Sequence, residues 1–345
     1  MLPGMEEFFN ESGQGGQERK TMEVVMNDTI KITATTVTPL LQIDENGGQR
    51  RMYIYEGGQR GAVPFFSANG FRGALRRMAT RQLLAAMGEK AKEIGPEAFY
   101  LLTSGASLGK ISVDDAVTPE NENLIRERFP VLSLFGAGLT GIEGKSAVAA
   151  LFPASDTERI AYTKEGKPYS PLLGNDTYFR SDAIREEGLW RSLIDVESIM
   201  RWTQEYLKKV AESKAKKKSG EAKSEEHSNI QQPVSLDFIL PGVKLTSSIN
   251  AKYGWEFSDV ELGCLISALK ELSTVQIGSA KRIGFGLLNW TVETGGAVLF
   301  RTECDPDYVL ERHTSVTEEG ERLIGAWREW LKENAKQTDF SVFEA

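Results

Sequence analysis

Ser258 and Glu261 stand three residues apart at the head of a run in which Leu262, Leu265, Ile266, Leu269 and Leu272 recur at helical spacing. A serine hydroxyl that caps the first turn and a glutamate that reaches back to the serine amide form a reciprocal cap, so this spacing predicts a helix with one apolar face. Three glycines, Gly278, Gly284 and Gly286, follow at once, and residues 287–293 then read as an apolar strand. The chain must therefore turn tightly from a capped helix into a strand.

A similar unit stands upstream. Residues 29–37 (TIKITATTV) alternate Ile30, Ile32, Ala34 and Thr36 with polar neighbours, the period of a half-buried strand. Asn69 is the expected N-cap of a helix that runs to Met87 and stops at Gly88, with Phe71, Leu75, Met78, Leu83 and Ala86 on its apolar stripe. Arg72 and Arg76 fall at the edge of that stripe, and Arg77 and Arg81 fall across the helix. Residues 233–251 read as strand, Pro-Gly turn and strand. The order strand, helix, strands, helix, strand predicts an α+β fold, a ferredoxin-like (RRM-like) palm with an inserted helical region and flexible projections.

The domain reading places a polar leader expected to be disordered at 1–28 and the palm with its insertions at 29–293. The insertions are a projection at 38–62 with a short strand near residues 52–55, a helical insertion at 89–130, and a second at 153–232. The second contains a long amphipathic helix over 181–210 and ends in a flexible Lys-rich segment at 211–232. Residues 294–345 form a C-terminal extension whose helix carries Leu323, Trp327, Trp330 and Leu331.

A formal net charge of −8 speaks against a generic nucleic-acid binder, which makes the location of positive charge decisive. Seven arginines, Arg50, Arg51, Arg60, Arg72, Arg76, Arg77 and Arg81, fall between residues 46 and 88 against the single acid Glu56. That is a local +6, leaving −14 for the rest of the chain. The planar fork of arginine suits phosphate. Cys264 and Cys304 are 40 positions apart, and His227 and His313 are the only histidines, which excludes a disulfide framework, a thiolate zinc site and a His-based triad. No cofactor or metal is expected. No run approaches about 20 apolar residues and residues 1–20 carry no apolar targeting segment, so the reading expects no membrane partner and a cytoplasmic location.

Three glycine motifs invite a nucleotide. Gly136, Gly138 and Gly141 satisfy G-x-G-x-x-G after the strand-like VLSLF, with Asp156 at the distance of a ribose-binding acid. Gly144-Lys145-Ser146 resembles the end of a P-loop but lacks the glycine needed at Leu139. Between Gly278 and Gly286 the adjacent cations Lys281 and Arg282 sit among glycines that let backbone approach a phosphate.

Taken together, three blocks resemble the RAMP superfamily of CRISPR effector proteins, specifically the backbone subunit that polymerises along guide RNA, and most closely its type IV version. They are FSANGFRGALR from Phe66 to Arg76, Leu134-Phe135-Gly136, and the loop from Gly278 to Gly286, in family order. The resemblance implies a non-catalytic subunit that holds guide RNA through phosphates. Its partners would be copies of itself joined head to tail, other effector subunits and complementary target nucleic acid. The residues expected to touch RNA are Arg50, Arg51, Arg60, Asn69, Gly70, Arg72, Arg76, Gly278, Ser279, Lys281, Arg282 and Gly284. Related type III subunits cut target RNA with an aspartate in the loop after the first strand. Asp44 in LLQIDENGG is the local candidate and is read here as a turn residue. The alternatives are thus a ribonuclease using Asp44 and a nucleotide-binding enzyme using Gly136, Gly138 and Gly141.

Overall fold

The computed structural model describes residues 29–45, 48–56, 58–105, 119–137, 142–180, 232–305 and 311–340, with positions 201 and 208. The leader at 1–28, the helix expected at 181–210 apart from positions 201 and 208, and nearly all of the Lys-rich segment lie outside the described residues.

Strand β1 (Ile30–Thr36) buries Ile30, Ile32, Ala34 and Thr36 and leaves the residues between them facing out, as its alternation requires. It is hydrogen-bonded on both sides, to β10 (Lys244–Ala251) with Ile32 opposite Ser247, and to β11 (Leu288–Thr294) with Ile32 opposite Val292. Beyond β10 lies β4 (Ser146–Val148), with β5 (Phe152–Pro153) on the same edge. Every pairing in the sheet is antiparallel.

Two helices supply the layer that buries this sheet. Helix α1 (Ala68–Met87) turns Phe71, Leu75, Ala79 and Leu83 inward, and Phe71 stacks on Trp290 of β11 at 6.1 Å between ring centroids. A second long helix, Asp259–Ser273, carries the predicted reciprocal cap: Ser258 Oγ accepts from the Glu261 amide at 3.2 Å, and the Ser258 amide donates to Glu261 Oε2 at 2.9 Å. Leu265, Ile266, Leu269 and Leu272 are buried, and the two helices share one core with the sheet. The protein is a mixed α and β fold around a mainly antiparallel sheet.

Four features differ from the sequence reading. The stretch expected as a helical insertion at 153–232 opens as strand, pairing β6 (Ala161–Tyr162) with β7 (Pro168–Tyr169) and β8 (Leu173–Arg180) with β9 (Gln232–Ile239). The α1 cap is Ser67 rather than Asn69: Ser67 Oγ accepts from the Gly70 amide at 3.2 Å. Gln42 fixes Ser67 from a distance, its Oε1 accepting from the Ser67 amide at 2.5 Å and its Nε2 donating to Ser67 Oγ at 2.8 Å. The strand-like VLSLF belongs to a buried helix. After α2 (Pro96–Ser104) and α3 (Pro119–Arg128), Pro130–Phe135 forms α4, begun by a proline and ended by Gly136 at φ 74°. A short apolar run fits either state, and packing among helices decides it. Finally, residues 294–345 extend the sheet with β12 (Ala297–Cys304) and β13 (Arg312–Val316), giving the order β13-β12-β11-β1-β10-β4. The expected C-terminal helix is Glu318–Asn334, with Leu323 and Trp327 buried.

Candidate nucleic-acid interface

The residues from Pro39 to Gln42 organise the surface that carries the arginines. Pro39 O accepts from the Gly286 amide at 2.8 Å and Leu41 O from the Ser279 amide at 2.7 Å, so the glycine-rich loop is clamped along this segment. Gln42 holds Ser67 at the start of α1, and Gln42 O accepts from the Arg50 amide at 2.9 Å. Arg50 leads into the hairpin of β2 (Arg51–Glu56) and β3 (Gln59–Pro64). Loop, helix start and hairpin base therefore radiate from Leu41 and Gln42.

Within the loop the chain makes a single 3₁₀ turn at Lys281–Ile283, bounded by Ala280 at φ 58° and Gly284 at φ 90°. That geometry pushes Lys281 and Arg282 outward, and both are exposed. Asn69 is exposed and Arg72 half-buried at the head of α1, with an Arg72 guanidinium nitrogen 3.4 Å from Asn69 Oδ1. Lys281 has a pKa below the ordinary lysine range, first because it is partly buried and second because the Arg77 charge acts on it. Arg77 and Lys281 are thus neighbours of like sign. Among the described residues none of Arg72, Arg77, Lys281 and Arg282 has a carboxylate partner, whereas Arg81 pairs with Glu271 at 2.8 Å. Cations gathered without counter-charges form a field that favours an anion.

Several of the expected RNA contacts do something else. Arg76 is only 5% exposed and donates to Leu101 O at 3.1 Å and to Phe135 O, which removes it from the surface. Burial, and then the neighbouring Arg72, lower its pKa to about 10. The helical-wheel reading put Arg76 at the stripe's edge. The α2 and α4 carbonyl ends that draw it inward are remote in sequence. The Ser279, Gly284 and Gly286 amides are spent on Leu41, Lys281 and Pro39 carbonyls, so this loop offers a ligand its cationic side chains rather than those three amides. Gly278, at φ 83°, lets Leu41 O approach. Gly70 lies under Gln42 Nε2 with its amide on Ser67. Arg51 is held by Asp237 of β9 (Gln232–Ile239) at 2.6 Å, and Arg60 lies 4.0 Å from the centroid of the Tyr53 ring.

No family model matches the chain, and no curated protein matches it. Among solved structures it is similar to a chain of a Type IV-B CRISPR complex. The two share 15% identity, over 78% of this chain and 92% of that one, with a TM-score of 0.48. It is also similar to a chain of a Type III-B Cmr-β complex bound to cognate target RNA. Here the identity is 11%, over 80% of this chain and 64% of that one, with a TM-score of 0.38.

Lys145, Ser146 and Asp156 of the nucleotide-site motifs make structural contacts. Lys145 Nζ binds Glu261 Oε2 at 3.0 Å and the Ser146 hydroxyl donates to Leu134 O at 2.7 Å, leaving neither side chain of the P-loop-like trio for a phosphate. Asp156 pairs with Lys244 at 2.9 Å, which holds its carboxyl below the usual range, first through that hydrogen bond and then through the lysine charge. Gly138 and Gly141 lie outside the described residues. Asp44 closes a turn, its carboxylate accepting from the Gly48 amide at 3.1 Å and its own amide donating to Gly48 O at 2.9 Å. Among the described residues, no cluster of His, Cys, Asp and Glu is placed to hold a metal, and no helix is long and apolar enough to cross a membrane. Arg77 is the residue that sequence reasoning missed. It was counted with the other arginines but placed across the helix, because a wheel does not show which loop packs beside it.

Proposed function

We propose that this chain is the guide-RNA-binding backbone subunit of a CRISPR ribonucleoprotein, with no cleavage activity of its own. The observation that carries the reading is that the exposed Arg77, Lys281 and Arg282 and the half-buried Arg72 have no carboxylate partner among the described residues, in a chain whose net charge is −8. Phosphate contacts hold nucleic acid without reading sequence, as a subunit that accepts any guide requires, and pairing of the exposed bases then supplies specificity. Strand order adds support. β11-β1-β10-β4, with one helix after β1 and another after β10, is the arrangement of a ferredoxin-like palm. Copies joined head to tail would make a filament whose length follows the RNA, since a heterologous contact that does not close propagates.

Replacing Arg72, Lys281 and Arg282 together with alanine is expected to weaken RNA binding and to flatten its salt dependence. The slope of log K against log salt should fall by about 2, at roughly 0.7 per lost contact to a single strand. Binding unchanged at two salt concentrations overturns the reading. In a second experiment, Asp44→Ala leaves RNA binding intact and changes no cleavage. Target cleavage by the wild type that disappears in the variant would establish the ribonuclease alternative instead.

A further inference from the structure

Tyr53 and Tyr55 are 63% and 78% exposed and stand two residues apart on β2. Strand alternation puts them on one face, about 6.8 Å apart along the chain. Arg60 is the register partner of Tyr55, and its guanidinium leans diagonally over the Tyr53 ring, away from Tyr55. Among the described residues Arg60 has no carboxylate partner. The opposite face of the hairpin is engaged: Ile160 closes over Gly61, the register partner of Ile54, and Glu56 pairs with Arg159 at 2.6 Å. Arg51, on the tyrosine face by the same alternation, ties the base of that face to Asp237. The hairpin is therefore pinned from behind while its aromatic face looks outward.

We infer that the Tyr53, Tyr55 and Arg60 face is a stacking platform for the bases of single-stranded RNA. Every base has a π-face, so rings accept any sequence, and a guanidinium can lie on a base or hold the adjoining phosphate. Charge favours RNA over a protein partner. Alternation places Ile54 and the 43% exposed Met52 on the other face, so the tyrosine face carries two rings and Arg60, with Ala62 opposite Tyr53 as its small aliphatic residue, and lacks the large aliphatic centre of a protein interface. The inference rests on the RNA-binding reading and adds to it a second site, which contacts bases rather than phosphates.

Fluorescence anisotropy on the full chain, with a labelled oligouridylate and an abasic oligonucleotide of equal length, separates the two sites. Wild-type protein is expected to prefer the oligouridylate. Tyr53→Ala with Tyr55→Ala should weaken oligouridylate binding at least about tenfold while leaving abasic binding and the melting temperature unchanged. Tyr53→Phe with Tyr55→Phe should retain the preference, because the ring is what stacks. Equal wild-type affinity for the two probes, or an alanine variant that keeps its preference, overturns the platform and leaves the phosphate site standing. An alanine variant that loses self-association in gel filtration but keeps its preference overturns it in favour of a protein interface. Failure of the wild type to bind either probe overturns the RNA-binding reading and the platform with it.

Discussion

Arg76→Ala is expected to destabilise the protein by about 2–5 kcal/mol, the cost of stranding buried acceptors and opening a cavity. The guanidinium fork donates to Leu101 O and Phe135 O, which belong to two different helices behind α1. Removing it leaves both carbonyls unpaired in a site that water does not reach easily. Gly105 is part of the same arrangement. It ends α2 at φ 72°, and a Cβ there would strike the Arg76 guanidinium. Arg76→Met, which keeps the stem and deletes the donors, separates the packing loss from the hydrogen-bond loss. Denaturant midpoints of the three proteins measure both. By contrast, Arg72→Ala should change stability by less than about 0.5 kcal/mol, because among the described residues Arg72 has only a long contact to Asn69, at 3.4 Å. Arg76→Ala as stable as the wild type would show that the buried fork contributes nothing, contrary to its geometry.

Gly286→Ala should be nearly as damaging, for a reason that lies in the backbone. Gly286 sits at φ 92°, a conformation that L side chains avoid, and a Cβ would collide with Ile277 O as well as lie 2.9 Å from Ile277 N. The Ile277 amide donates to Gly286 O at 2.9 Å and the Gly286 amide to Pro39 O at 2.8 Å, so nothing on either side can retreat without losing a bond. We expect a loss of about 3 kcal/mol or more, seen as a lowered melting temperature, with weaker RNA binding as Lys281 and Arg282 lose their support. Gly284→Ala is the control. Its φ is 90°, yet a Cβ there meets open space, so only conformational strain of about 1–2 kcal/mol applies. Equal melting temperatures for the two variants would mean that the close approach of Pro39 and Ile277 does not limit the loop.

These two sites mark how far the sequence could be read. Period-2 alternation in β1 and the reciprocal cap at Ser258 and Glu261 are local physics, and both stand in the structure at the expected residues. The glycine-rich loop was legible as a tight connection bearing two cations, because glycine content and adjacent charges are visible without a partner. Which of its amides remain for a ligand was not, since Pro39 and Leu41 consume two of them from a segment more than two hundred residues away.

By itself the sequence determined the order of the principal strands and helices, the apolar faces of α1 and the Ser258-capped helix, and the concentration of arginine within residues 46–88. Each follows from interactions within one or two turns, or from composition. Only the tertiary structure decided that Ser67 rather than Asn69 caps α1, that VLSLF is helical, and that Arg76 turns inward while Arg77 acts on Lys281. In those cases the deciding partner, Gln42, the surrounding helices, Leu101 or the loop at 281, lies outside the local turn, whereas β12 joins the sheet by pairing with its chain neighbour β11 through Gly295-Gly296. A side chain or segment with two local options takes the one that satisfies its polar groups and buries its apolar surface against that partner.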